Sequence, residues 1–356
     1  MIYFRADANE NIGLGHTMRC LALADAFRSL GQECCFIIAS DSGSESLIRE
    51  RGYSVKRLNN GYLNMDEETK ELGRILSDPE ILYIVDSYFV PEGYYEKVKS
   101  MIAGKGKVIC FDDMIETAFP TDGLINYNVY ADSAKVEELY RRNEVPLPDC
   151  YLGISYAPLR MTLGELPKEL IINRKGANEK HVLLSCGGAD PEKVTARFLK
   201  YLRQNGSQDE FVFHIPVGAV NASAPEIRSL AKDLDHVVLY DHIREFRAFI
   251  RQMDFAVSAA GSTVYELCAE GIPSITYVLA DNQMGIAKEF DRLGLVPFAG
   301  DCRNNEEFVS GLMRCLHDLS SRNDLDDLKK KMQNTVDGLG AKRLAEALLK
   351  DNRGWL

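Results

Sequence analysis

The stretch Ile12-Gly13-Leu14-Gly15-His16-Thr17-Met18-Arg19 decides how this chain is read. Before it stands an apolar run, Ile2-Tyr3-Phe4-Arg5-Ala6, which predicts a first strand. After it comes a helical pattern from Thr17 to Leu30. Asp7, Asn9, Gly13 and Gly15 lie between, and the glycines let the backbone turn tightly and come close to a ligand. A strand, a glycine turn and a helix start predict the opening of a doubly wound sheet, which carries its chemistry at the carboxyl ends of its strands. His16 falls where the loop becomes helix. Its ordinary pKa of about 6.5 suits a general base near neutral pH. The plainer alternative is a residue that only begins a helix, and spacing alone leaves both open.

The alternation continues. Strands are predicted near Glu33–Ala39, Ile81–Asp86, Val108–Phe111 and Leu124–Asn128, and then near His181–Ser185, Phe211–Pro216, Val237–Tyr240, Phe255–Ser258 and Ser274–Val278. Helical patterns lie between them and close the chain from Asn304 to Leu349. Strands separated by helices imply parallel sheets with crossover connections. The charged segment from Leu163 to Lys180, with Gly164, Pro167 and Gly176, reads as a hinge. The expectation is an α/β protein of two Rossmann-like domains, 1–165 and 166–356, the second ending in a helical tail.

Bulk properties narrow the class. With 356 residues, 46% hydrophobic and 27% charged, the chain is an ordinary globular protein long enough for two domains. A net charge of −11 with no basic block argues against nucleic acid as a partner. No run of about 18 apolar residues predicts membrane insertion, and no signal peptide is visible. The nine cysteines form no C-x-x-C pair, which fits reduced thiols and a cytoplasmic location. No cofactor and no metal site is implied, and the sequence sets no oligomeric state.

The second half holds two candidate phosphate sites. In Ser185-Cys186-Gly187-Gly188-Ala189-Asp190-Pro191, Asp190 is placed to cap a helix and Pro191 to be its first residue. The alternatives are a well-capped junction or a glycine turn, at Gly187 and Gly188, that admits a ligand. In Ser258-Ala259-Ala260-Gly261-Ser262-Thr263-Val264-Tyr265-Glu266, a helix is expected to start at Ser262 or Thr263. Its free N–H groups and positive dipole end suit an anion. A capping box between Thr263 and Glu266 explains the same letters. Asp281-Asn282-Gln283 either cap the next helix or offer amides to a polar ligand.

Taken in order, these motifs resemble a known family. Gly13-Leu14-Gly15-His16 and Gly261-Ser262-Thr263-Val264-Tyr265-Glu266-Leu267 look like the GT-B architecture of nucleotide-sugar enzymes, two doubly wound domains facing a central cleft. Arg5-Ala6-Asp7, Arg19, Phe111-Asp112-Asp113, Gly153, Tyr156-Ala157-Pro158-Leu159-Arg160, Gly187-Gly188-Ala189-Asp190-Pro191 and Asp281-Asn282-Gln283 then occur in the order of the UDP-sugar hydrolases of pseudaminic acid biosynthesis and their spore-coat polysaccharide relatives. The resemblance covers about residues 1 to 300; the tail after Asn304 exceeds the family minimum. It implies release of UDP from UDP-2,4-diacetamido-2,4,6-trideoxy-β-L-altrose, with inversion at the anomeric carbon and without a metal. His16 matches the catalytic base, Tyr88 (after the third predicted strand) the hydrogen-bonded tyrosine, and Asn282 the sugar-contacting asparagine. Glu266 matches the residue that holds the ribose. Ala260, Gly261, Ser262 and Thr263 would hold the diphosphate, with Asp7, Gly13, Gly15, Arg19, Gly187, Gly188 and Gln283 as further substrate contacts.

The chemistry agrees with that resemblance. Inverting glycosidases use an acid and a base because an alkoxide leaves poorly. A nucleoside diphosphate leaves without prior protonation, so one base and a helix terminus suffice. No second carboxylate stands out beside His16. Asp112-Asp113 reads as a strand-end turn rather than a metal pair. A GT-B glycosyltransferase and a non-catalytic nucleotide-sugar-binding subunit are the alternatives.

Overall fold

The computed structural model describes residues 1–9, 11–160, 166–174, 179–205, 210–218, 221–241, 243 and 245–350. The chain forms two compact units. Met1–Met161 with Gly338–Leu356 make the first, and Thr162–Asp337 the second.

In the first unit, strands and helices alternate as β1 (Ile2–Ala6), α1 (Gly15–Ser29), β2 (Cys34–Ile38), α2 (Glu45–Glu50), β3 (Ser54–Arg57), α3 (Thr69–Ile75), β4 (Ile81–Asp86), α4 (Tyr94–Met101), β5 (Gly106–Phe111), β6 (Gly123–Asn126), α5 (Ser133–Arg142) and β7 (Asp149–Leu152). The seven strands form one parallel sheet in the order β3-β2-β1-β4-β5-β6-β7. Strand β1 is buried along its whole length, which is why it reads as a continuous apolar run rather than an alternating one.

The second unit repeats the plan with β8 (Lys180–Ser185), α6 (Val194–Asn205), β9 (Phe211–Pro216), α7 (Ala224–Ala231), β10 (Val237–Tyr240), α8 (Phe246–Ile250), β11 (Phe255–Ala259), α9 (Ser262–Glu270), β12 (Ser274–Val278), α10 (Met284–Arg292), β13 (Phe298–Asp301), α11 (Phe308–Ser320) and α12 (Leu325–Thr335). Its six parallel strands run β10-β9-β8-β11-β12-β13. Both units are doubly wound α/β sheets, as expected from the sequence.

Three strands escaped the sequence reading: β3, β7 and β13. Each is four residues long and lies at a sheet edge, so none is a long apolar run. Because β3 was missed, Tyr88 follows the fourth strand and not the third. The predicted hinge, Leu163 to Lys180, lies partly outside the described residues. Its described part includes a single helical turn at Lys168–Leu170.

The chain's end also departs from expectation. Helix α13 (Gly340–Lys350) belongs to the first unit and not to a tail of the second. It packs on α1 and on the turn Ile154–Tyr156, where Arg343 donates to the Ser155 carbonyl at 2.6 Å. Ala341, Leu344, Ala345 and Leu348 form its buried face. The reason is visible in α1, whose residues from Cys20 to Phe27 are all buried. One face of such a helix covers the sheet; the other needs a second apolar partner.

Candidate functional site

The topology explains why His16 has a partner. In the first unit the strand order reverses between β1 and β4, and the crevice at such a reversal is where these folds bind ligands. The loop after β1 leads to His16, the second residue of α1, and β4 ends on Asp86. His16 Nδ1 lies 2.5 Å from Asp86 Oδ1. Sequence reasoning found no carboxylate beside His16; the structure corrects this, since Asp86 is 70 residues away in the chain and adjacent across the reversal point.

Arg19, one turn along α1, completes the group. Its Nε and Nη2 donate to Asp86 Oδ2 and Oδ1, each at 2.6 Å. Its Nη1 donates to both oxygens of Asp113, at 3.0 and 2.9 Å. The rings of Phe111 and Tyr127 flank the guanidinium, with centroids 4.7 and 5.5 Å from its carbon. All four polar members, His16, Arg19, Asp86 and Asp113, are buried. Burial opposes ionisation of Asp86, but Arg19 and then His16 outweigh it and hold the carboxyl well below the usual carboxylate range. Tyr88 donates to Asp113 Oδ2 at 2.7 Å. Its half-exposed ring stands edge-on to the imidazole, with centroids 4.6 Å apart.

Several expected substrate contacts have other uses in this unit. Arg19 spends its guanidinium on Asp86 and Asp113. Asp7 pairs with buried Arg5 and accepts from the Ala39 N–H at 2.7 Å. Arg5 in turn binds Glu68, which also accepts from Tyr94 at 2.6 Å. These groups build the platform under the loop. In the loop itself Gly13 bonds back to the Asn9 carbonyl at 2.8 Å, and a Cβ on Gly15 would meet no atom within 4 Å. Asp112 makes a strand-end turn, accepting from the Met114 and Ile115 N–H groups at 3.0 Å. Asp113 does not; it belongs to the Arg19 network.

In the second unit the order reverses between β8 and β11. The loops that follow those strands carry both glycine motifs. Gly187 has φ +76°, a conformation open to glycine at little cost. Asp190 caps α6 as expected, accepting from Val194 and Thr195 at 2.8 and 3.0 Å. Pro191 is not the first helical residue, because α6 begins only at Val194. Sequence reasoning missed Gly218, after β9. A Cβ there would lie 2.1 Å from the Gly188 carbonyl oxygen, so the two loops touch through backbone alone.

Helix α9 starts at Ser262 after Ala260 and Gly261, and no side chain caps it at Gly261. The capping box is therefore not formed: Thr263 is the second helical residue and Glu266 the fifth, buried one turn in. The first-turn N–H groups of α9 offer an anion-binding terminus. After β12, Asp281–Gln283 form a single helical turn with Asn282 exposed. Gln283 does not cap α10; its side-chain oxygen accepts from the Leu279 N–H at 3.0 Å. Arg303 binds both Asp281 and Asp301 at 2.7 Å. Among the described residues, no three or more His, Cys, Asp or Glu side chains gather to hold a metal ion, and no helix is long and apolar enough to cross a membrane. All nine cysteines are unpaired.

Solved structures place the fold. Acinetobacter baumannii MurG matches at TM-score 0.63 and 13% identity, over 98% of this chain and 99% of its own. The spinosyn rhamnosyltransferase SpnG, complexed with thymidine diphosphate, matches at TM-score 0.62 and 13% identity, over 99% of each chain. The chain has the GT-B fold.

No family model matches the chain. The spore coat polysaccharide biosynthesis protein SpsG of Bacillus subtilis is 21% identical over 97% of this chain and 96% of its own. The UDP-2,4-diacetamido-2,4,6-trideoxy-beta-L-altropyranose hydrolase of Campylobacter jejuni is 26% identical over 78% of this chain and 92% of its own. An uncharacterized protein of Methanocaldococcus jannaschii, MJ1062, is 22% identical over 78% of this chain, and the match spans 55% of that relative's length. The resemblance read from the ordered motifs thus holds across relatives that cover most of the chain.

Proposed function

We propose that this chain is a nucleotide-sugar hydrolase that releases UDP from a UDP-linked 2,4-diacetamido-2,4,6-trideoxyhexose, in the biosynthesis of a pseudaminic-type acid or surface polysaccharide. The observation that carries it is the His16–Asp86 pair: a single imidazole at the reversal point of the first sheet, gripped at Nδ1 and so left with Nε2 for a proton. The name of the Campylobacter jejuni relative supports the substrate class.

In this reading His16 Nε2 takes a proton from water as the water oxygen bonds to the anomeric carbon. The C–O bond to the β-phosphate breaks, its electron pair leaves with UDP, and the carbon inverts. The α9 terminus, at Ala260, Gly261, Ser262 and Thr263, stabilises the charge that develops on the diphosphate. Glu266 holds the ribose, Asn282 and Gln283 the sugar, and the backbone at Gly13, Gly15, Gly187 and Gly188 lines the loops. The diphosphate departs as an anion, so the reading needs no general acid and no metal.

The test is one incubation with the UDP-sugar in oxygen-18 water and no acceptor, with and without chelator. The expected result is free UDP without label, heavy oxygen on the sugar, and no effect of chelator. UDP release only when an acceptor is added would identify a glycosyltransferase instead. Label in UDP would mean attack at phosphorus, which usually needs a divalent cation.

A further inference from the structure

We propose that Asp86 and Arg19 are positioning residues for His16, which lock its imidazole with the proton on Nδ1 and the lone pair on Nε2. The proposal rests on the reading of His16 as the base, and adds the groups that make it one.

Asp86 is buried among His16, Arg19 and Cys20, and Arg19 reaches both of its oxygens. Oδ1 faces His16 Nδ1 at 2.5 Å and Arg19 Nη2 at 2.6 Å. Oδ2 receives Arg19 Nε at 2.6 Å and the Cys20 thiol at 3.6 Å. An ionised carboxylate only accepts hydrogen bonds, so the ring nitrogen against it must carry a hydrogen. A lone pair on Nδ1 at that distance would face an anion. The tautomer follows, and Nε2 is the nitrogen left to act. This is the orienting role that a third group plays beside a base.

Arg19 gives the arrangement its rigidity. Its planar fork binds Asp86 in two places, its remaining nitrogen binds Asp113, and two rings enclose it. Asp86 therefore cannot rotate away from His16 without leaving a buried guanidinium half paired. When Nε2 takes a proton, the imidazolium formed lies against a carboxylate already in place, with no reorganisation.

Asp86→Asn separates orientation from mere packing. Arg19 reaches both oxygens of Asp86; with its Nε holding the amide oxygen at the Oδ2 position, the amide NH2 occupies the Oδ1 position. The amide NH2 then turns to His16 and donates to Nδ1, which moves the imidazole proton to Nε2 and blocks the base. In nitrogen-15 spectra of histidine-labelled protein at neutral pH, with His16→Asn used to assign the signal, the wild type should show a protonated Nδ1 and a bare Nε2. Asp86→Asn should show the reverse. Its kcat should fall on the order of 10²- to 10⁴-fold, with KM changed by less than about threefold. Arg19→Lys keeps the charge but loses the fork, and its kcat should fall less than that of Asp86→Asn.

The wild-type spectrum needs no substrate, and its assignment needs only a folded His16→Asn. A proton on Nε2 in the wild type overturns the proposal, even if the UDP-sugar is hydrolysed. Near-wild-type kcat in folded Asp86→Asn overturns it as well. The expected spectrum with no UDP-sugar turnover would instead leave the dyad standing and remove the proposed reaction.

Discussion

The Tyr88 hydroxyl donates to Asp113 and not to His16: the bond to Asp113 Oδ2 is 2.7 Å, while the Tyr88 ring and the imidazole lie nearly perpendicular with centroids 4.6 Å apart. Burial, and then the Asp113 charge, push the phenol well above the usual tyrosine range, so it stays neutral and donates at any working pH. Tyr88→Phe keeps the ring and removes that bond. One hydrogen bond to a charged group is worth about 1.5 kcal/mol of stability, so the melting temperature should fall by a few degrees, and kcat should fall as well through the loosened Asp113–Arg19–Asp86 network. Steady-state kinetics and a thermal melt check this together. Unchanged kcat would restrict Tyr88 to its ring.

Glu266 tests the nucleotide half of the reading. Its backbone is one turn into α9 and its side chain is buried. Glu266→Gln should weaken UDP binding by about 1.5–3 kcal/mol, the scale of a charge-assisted hydrogen bond. Titration calorimetry reads this directly. A lower melting temperature with unchanged UDP affinity would make Glu266 structural only.

Gly218 should tolerate no side chain. Gly218→Ala drives a methyl group into the Gly188 backbone, which must shift. The expected cost is on the order of 1–3 kcal/mol by chemical denaturation, together with weaker UDP binding through the displaced Gly187-Gly188 turn. Gly15→Ala is the steric contrast: its added Cβ meets nothing within 4 Å, and stability should hold.

The second unit should weaken in mild acid. His181 Nδ1 and His214 Nε2 lie 2.9 Å apart, and His214 Nδ1 meets the Tyr240 hydroxyl at 2.8 Å. Burial first, and then the neighbouring His181 and Arg174, pull His214 down to about 4; burial and Arg174 also lower His181, against the opposing pull of Asp254 and Glu179. The unfolded chain then binds more protons, so stability is full above the ordinary histidine range and falls as pH drops through it. For His214 the full loss is on the order of 3 kcal/mol, reached only near its folded value. Urea midpoints at pH 7 and pH 5 should show the fall in the wild type and a smaller one in His214→Gln. An equal fall in both would place the effect elsewhere.

Much of this was legible from the letters. The apolar runs at Ile2–Ala6, Ile81–Asp86, Phe211–Pro216 and Ser274–Val278 marked strands because a parallel sheet covered on both faces is built mostly from apolar residues. The glycine turns marked the loops at strand ends, and Asp190 marked a cap. The short edge strands β3, β7 and β13 were not legible, since none is an apolar run, whereas the equally short edge strand β10 was read from Val237-Val238-Leu239-Tyr240. Helix α13 was readable as a helix but not as part of the first unit, because an amphipathic pattern shows that a face is buried and not what buries it.

The sequence by itself determined two doubly wound sheets and singled out His16, because local periodicity and turn chemistry act between near neighbours. Only the tertiary structure decided what surrounds His16. Its partner Asp86 ends the fourth strand, Asp113 follows the fifth, and Tyr127 follows the sixth; the β1–β4 pairing and the strand order beyond it bring them to one place. A carboxylate 70 residues away leaves no local periodic signal, yet at 2.5 Å in a buried site it fixes where the imidazole proton sits.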